Sequence, residues 1–137
     1  MKGQKTEQQA AEALQACLAD VPFLQVRRIQ ANLRQGGVEA DLVVDLKTQD
    51  GSPLRIVVEV KTSGQPRLAR DAANKLLRLR KVFPDAYRVF MAPYISPQAA
   101  EICEKEGVGY LDLAGNCRLA FGQVYIRREG IRNPFVQ

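Results

Sequence analysis

The stretch IVVEVKTSG, residues 56–64, decides how this chain folds. Extended upstream to LRIVVEVKT (54–62), it is a β-branched run. Its two-residue period places Val57, Glu59 and Lys61 on one face and Ile56, Val58 and Val60 on the other. Such apolar flanks belong to a buried strand, so an acid and a lysine on one face need a reason. The segment EADLVVDLK (39–47) repeats the arrangement, with Glu39, Asp41, Val43 and Asp45 opposite Ala40, Leu42, Val44 and Leu46. Between the two lies Gln49-Asp50-Gly51-Ser52, and Asp-Gly favours the positive backbone angles of a hairpin turn. Paired through that turn, the strands deliver Asp41, Glu59 and Lys61 to the same side of a sheet.

Helices and further strands surround this hairpin. Residues 66–82 repeat Leu68, Ala72, Leu76, Leu79 and Phe83 at helical spacing, and Pro84-Asp85 ends the run. YRVFMA (87–92) reads as a strand. Ser96-Pro97 is a cap followed by a first-turn proline, opening a helix that runs to about Glu106 and closes at Gly107. Upstream, Ala10, Leu14, Cys17 and Val21 mark a helix over 5–19, stopped by Pro22. Residues 23–32 read as extended, with a Gly36-Gly37 turn after them. GYLDL (109–113) and the two halves of CRLAFGQVYIRRE (117–129) supply the last, short strands. The order helix, three strands, helix, strand, helix, short strands predicts an α/β domain: a mixed sheet flanked by helices.

Composition narrows the chemistry. With 137 residues the chain suffices for one domain and one core. The opening MKGQKTEQQA lacks the apolar centre of a secretory signal, so the expected location is cytoplasmic. Cys17, Cys103 and Cys117 are widely spaced and read as small buried thiols. The chain has no histidine. That excludes Ser-His-Asp and Cys-His nucleophilic catalysis and His-ligated zinc. Carboxylates, lysine, arginine and an oxygen-bound cation such as Mg²⁺ remain.

Two carboxylates converging in a half-buried setting repel each other, and a divalent cation removes the conflict. The Val60 carbonyl is a further oxygen at that strand end. Lys61, one step beyond Glu59, can hold a water or a phosphate oxygen. The competing reading of an acid and a lysine two apart is a solvated strand face, against which the apolar flanks argue. Downstream, QPRLARDAANKLLRLRK carries a polar stripe of Arg67, Arg70, Asn74, Arg78 and Lys81 opposite the leucine face. The net charge is +5, and the stripe is either a phosphate-tracking surface or an ordinary solvated helix face. Arg67 and Arg70 lie nearest the strand end and are the expected phosphate ligands; Arg78 and Lys81 lie further along.

A small residue and an acid in one strand (Ala40-Asp41), then Glu59-Val60-Lys61 ending the next, then a helix, resembles the PD-(D/E)XK nuclease superfamily. Residues 5–92 follow its restriction-endonuclease-like α-β-β-β-α-β core. The resemblance implies Asp41 and Glu59 as metal ligands with the Val60 backbone carbonyl, for Mg²⁺ with Mn²⁺ as substitute. It implies Lys61 as the catalytic lysine and a phosphate-contacting residue on the following helix. Ala40 stands where the family carries proline. Glu12 matches a position where some members carry a further acidic ligand, and Glu39 is a candidate supporting acid or second-metal ligand. GYLDLAGNCRL (109–119) resembles a string that follows the core in a bacterial subset of these proteins. Those often continue, past an Asn-Pro-Phe like Asn133-Pro134-Phe135, into a winged helix-turn-helix. By that resemblance residues 1–137 form the nuclease-like domain of a longer protein, with an extension over 93–137. Asp112 is either a third ligand or, the preferred reading, a turn acid. The expected function is Mg²⁺-dependent endonucleolytic hydrolysis of DNA, with a homodimer as the assembly that cuts both strands. The alternatives are a nucleic-acid-binding module that no longer cuts and a protein-interaction domain.

Overall fold

The computed structural model describes residues 2–135, with side chains from residue 6 onward. Helix α1 (Lys2–Ala19) leads into three antiparallel strands, β1 (Leu24–Gln35), β2 (Val38–Thr48) and β3 (Pro53–Val60). Helix α2 (Pro66–Leu79) crosses to β4 (Tyr87–Ala92), and α3 (Pro97–Lys105) crosses to β5 (Gly109–Asp112); both crossovers are parallel. Strands β6 (Cys117–Phe121) and β7 (Val124–Arg128) complete an antiparallel end. The seven strands lie side by side in chain order, the mixed α/β sheet that the sequence predicts.

Both faces of the central strands are buried, which is why β2 and β3 read as nearly continuous apolar runs. On one face α2 and α3 cover Val43, Val57, Phe90 and Tyr110. On the other, Ala10, Leu14 and Leu18 of α1 cover Leu42, Val44, Ile56, Val58, Val89 and Met91. The face of α2 against the sheet is Ala69, Ala72, Ala73, Leu76 and Leu79. Three alanines there let the helix approach closely, and Leu68 is left half-buried rather than central. The helix ends at Leu79, earlier than its sequence suggests. Successive turns follow, with Val82 and Phe83 N–H groups both donating to the Leu79 carbonyl, and Phe83 still reaches the core.

One contact aligns the crossover loops beyond the strand ends. A Cβ at Gly64 would lie 1.9 Å from the Tyr94 carbonyl oxygen, so only glycine lets these segments touch. Ser96 N–H donates to the Gly64 carbonyl at 3.0 Å, and Ser96 Oγ accepts from Ala99 N–H at 3.1 Å, the cap expected at Ser96-Pro97.

Asp112 has a structural task. It is buried, and its Oδ1 accepts from the Gly115 and Asn116 N–H groups at 2.9 and 2.8 Å. Its Oδ2 accepts from Ile95 N–H at 3.0 Å and Asn116 Nδ2 at 2.9 Å. Asn116 in turn grips Ile131, accepting its N–H at 2.9 Å and donating to its carbonyl at 3.2 Å. The Asp112–Asn116 turn therefore fastens β5 to the β4–α3 loop and to the C-terminal segment. Both oxygens are committed to these hydrogen bonds, the environment of the preferred turn-acid reading.

Candidate active site

The register of the hairpin builds the site. Val43 faces Val57 and Leu42 faces Val58, so one further step sets Asp41 against Glu59. Both share a face with Val43 and Val57, under α2. There the strands part, and Asp41 Oδ2 accepts the Val60 N–H at 2.7 Å, a side chain continuing the ladder.

Glu59 is only 2% exposed. Lys61 Nζ lies 3.4 Å from its Oε2, and Lys75 Nζ, from α2, lies 3.0 Å from its Oε1 and 4.0 Å from Asp41 Oδ1. Lys75 thus bridges the two acids. Oε1 is buried, and the Lys75 ammonium is the group that meets it. Burial first, and then the neighbouring Asp41 carboxylate, push Glu59 up to about 7, while Lys75 pulls the other way. Burial lowers the proton affinity of Lys75, but pairing with Glu59 and Asp41 outweighs it and leaves the ammonium more firmly charged.

A third acid approaches from the opposite layer. Glu7 on α1 is buried, with an Oε2 that no hydrogen bond satisfies. Burial and then the charge of Asp41 raise its pKa, while a hydrogen bond to the Asn32 side chain lowers it. Asn32 has φ of 54°, left-handed backbone that non-glycine residues adopt at a cost of about 1–3 kcal/mol. Among the described residues, no three acidic or thiol side chains sit close enough together to ligate one ion by themselves.

The expected site residues lie in different surroundings. Glu12 is exposed, nearly half a turn round the helix from the stripe of Ala10, Leu14 and Cys17; the α1 acid beside the site is Glu7, three residues before Ala10 and in line with that stripe. Glu39 pairs with the exposed Arg34 at 3.3 Å, though its charge is felt by Glu7 and Lys75. Asp45 is held by Arg55 at 2.7 Å. On α2, Arg67, Arg70, Asn74 and Arg78 are all exposed, and the residue that reaches the carboxylates is Lys75. The Lys75 contacts seat the third turn of α2 over the carboxylates. Lys75 lies about 12 Å along the axis beyond Arg67, whereas Arg78 follows it by less than one turn, about 60° round the helix. Arg70 is about 140° away from Lys75, facing elsewhere.

Glu7 and Lys75 share one sequence signal that motif reading passes over. Each is a charged residue standing on the apolar stripe of its helix: Glu7 ahead of Ala10 and Leu14, Lys75 between Ala72 and Leu79. Charge at a position facing the core implies a buried partner.

No protein-family model matches this chain, and no curated protein does. Among solved structures, a repair endonuclease from Pyrococcus abyssi is similar over 75% of this chain and 46% of its own, at 14% identity and a TM-score of 0.50. EndoMS in a complex with double-stranded DNA is similar over 75% of this chain and 44% of its own, at 17% identity and a TM-score of 0.49. SfsA from Pyrococcus furiosus, in a complex with Ca²⁺, aligns over 94% of this chain and 65% of its own, at 18% identity and a TM-score of 0.39. The chain spans less than half the length of the two endonuclease structures. At these identities the likeness concerns the fold: this chain has the nuclease-like α/β fold of the Pyrococcus abyssi enzyme. No helix among the described residues is long and apolar enough to cross a membrane.

Proposed function

We propose that this domain is a metal-dependent nuclease that hydrolyses phosphodiester bonds in DNA at the Asp41–Glu59–Lys61–Lys75 cluster. One observation carries the reading. A buried carboxylate whose proton affinity is raised to near neutrality faces a second carboxylate at the end of two paired strands, with two lysines as its partners. Such an arrangement costs stability, and burying paired acids is the habit of catalytic sites. The nuclease-like fold supports it, as does α2, whose exposed Arg67, Arg70 and Arg78 make no ion pair among the described residues.

The donor set fits a hard divalent cation. Asp41 and Glu59 would hold it, with Glu7 close enough in charge to support it, and hard oxygen ligands suit Mg²⁺ or Mn²⁺. Bound there, the cation would supply Lewis-acid activation of a water and of the phosphate. The chain's own groups do the rest. Lys61, partly open to solvent, orients the attacking water and donates hydrogen bonds to a phosphate oxygen. Lys75 balances charge between the carboxylates and neutralises developing negative charge on the phosphoryl oxygens. Arg78, on the adjoining flank of α2, guides the phosphate backbone. The same proposal includes a winged helix-turn-helix following Asn133-Pro134-Phe135 and pairing with a second copy to reach both strands.

The test is plasmid and oligonucleotide cleavage with Mg²⁺ or Mn²⁺ by the wild type, Lys61→Ala and Asp41→Ala. Loss of cleavage by at least 100-fold in both variants supports a nuclease; equal background in all three preparations refutes it. A DNA-binding module that no longer cuts is favoured by one feature. Lys61 and Lys75 already balance Asp41 and Glu59 charge for charge. That reading expects salt-dependent DNA affinity with no Mn²⁺ bound at the carboxylates.

A further inference from the structure

Lys75 stands where a cation held by both acids would stand. Its Nζ lies 3.0 Å from Glu59 Oε1 and 4.0 Å from Asp41 Oδ1, so one ammonium spans the gap between the carboxylates. Lys61 differs, because its Nζ meets Glu59 alone, at 3.4 Å from the other oxygen, Oε2. The gap that hard oxygen ligands would offer Mg²⁺ is therefore the one that the α2 lysine fills. A divalent ion beside a retained Lys75 would stand within about 4 Å of a like charge, and partial burial weakens the screening of that repulsion.

The way out is open to Lys75. Its side chain is 30% exposed, against 3% for Glu59 and 18% for Asp41. Buried Ala72, Ala73 and Leu76 hold α2 on the sheet, so the ammonium moves without unseating the helix. Asp71 stands four residues earlier on the same face, exposed and outside the ion pairs among the described residues. An acid four residues ahead of a lysine is the favoured helical pairing, and it gives the ammonium a second resting place.

We propose that Lys75 is a tethered counter-ion that exchanges with the metal. Its ammonium holds Asp41 and Glu59 together, yields its place when a divalent cation binds, and swings outward to Asp71 or to a phosphate oxygen. The inference rests on the metal-binding part of the nuclease reading. Lys75 supplies the compensating charge that a buried carboxylate needs in order to stay ionised in the folded protein. Loading the site then breaks an internal ion pair, so the wild type holds a cation less tightly than the two carboxylates alone would. Loading and substrate binding also become linked. A phosphate that captures the displaced ammonium favours the loaded state, and the loaded state favours the phosphate by the same factor. Lys61 touches Glu59 through the other oxygen and takes no part in the exchange.

The experiment uses the full chain, freed of chelator, with Mn²⁺ as the probe. Free Mn²⁺ is counted by electron paramagnetic resonance in titrations of wild type, Lys75→Met and Lys61→Met. Methionine keeps an unbranched apolar stem and removes the charge. Lys75→Met should bind Mn²⁺ at least 10-fold more tightly than wild type. Its gain should exceed that of Lys61→Met, which reports the loss of a nearby charge without exchange. In wild type, the Lys75 amine is acetylated by an N-hydroxysuccinimide ester and mapped by mass spectrometry. It should react at least 3-fold faster in saturating Mn²⁺, with the exposed Lys105 unchanged. The proposal is overturned if Lys75→Met binds no more tightly than wild type or gains no more than Lys61→Met. It is equally overturned if Lys75 labelling ignores Mn²⁺ in a wild type that binds it. Those results leave the metal site itself standing, whereas failure of every preparation to bind Mn²⁺ removes the metal-binding reading and this inference with it. Binding by Lys75→Met alone supports the exchange and marks the wild type as the module that no longer cuts. The labelling measurement decides even if Lys75→Met fails to fold.

Discussion

Glu59→Gln should make the metal-free protein more stable at neutral and alkaline pH while removing the candidate site's central acid. The carboxyl is held at about 7 when folded, against an ordinary 4.5 when unfolded. The folded state therefore binds the proton more tightly, and stability falls as pH rises from 4.5 through 7. The penalty is complete above the folded value. At 1.36 kcal/mol per unit, a raise of about 2.5 units corresponds to about 3 kcal/mol. Glutamine mimics the protonated side chain and escapes it. The stabilisation of the variant over wild type should be about 1 kcal/mol at pH 5, about 2 at pH 6 and about 3 above pH 7.5. Urea unfolding in excess chelator, repeated across that range, measures it. With a slope of about 1–3 kcal/mol per molar, the midpoint at pH 8 should rise by about 1–3 M. A variant no more stable than wild type at pH 8, or a difference that does not grow with pH, refutes the account of Glu59 as a strained, buried acid.

Four further outcomes follow from the geometry. Asp41→Ala removes the second-largest influence raising Glu59, so the Glu59 carboxyl, followed by carbon-detected NMR titration, should titrate below 7. Asp112→Ala leaves the buried N–H groups of Ile95 and Asn116 without their acceptor, while the Gly115 N–H keeps the Asp112 backbone carbonyl at 3.3 Å. At about 1–3 kcal/mol each, the two losses should cost about 2–6 kcal/mol in chemical denaturation. Gly64→Ala drives a Cβ into the Tyr94 carbonyl and should cost about 3 kcal/mol, with thermal unfolding as the measure. On the proposed nuclease reading, Arg78→Ala should weaken DNA binding more than Arg70→Ala and flatten its salt dependence by about 0.9 in log–log slope, read by fluorescence anisotropy.

Local periodicity makes the hairpin legible. Alternation in 39–47 and 54–62 assigns faces, and a face is all that Asp41 and Glu59 need to meet once an Asp-Gly turn sets the register. The strand over 87–92 and the capped helix at Ser96-Pro97 are equally readable, because their signals are confined to a few neighbouring residues. The α2 arginines are the opposite case. Their stripe is real, but a stripe says nothing about which turn of the helix lies over a strand end, and only packing of Ala69, Ala72 and Ala73 on the sheet decides that.

What the amino-acid order determines here is a mixed α/β sheet, two acids and a lysine on one side of it, and the absence of any histidine chemistry. What folding alone decides is company. Lys75 is drawn to Glu59 by the seating of α2, and Glu7 to Asp41 by the N-terminal half of α1. Asp112 is spent on three hydrogen bonds within a turn and one from Ile95 on another loop. Each of these depends on contacts between elements remote in sequence, where side-chain packing and desolvation set the outcome and the local repeat carries no information.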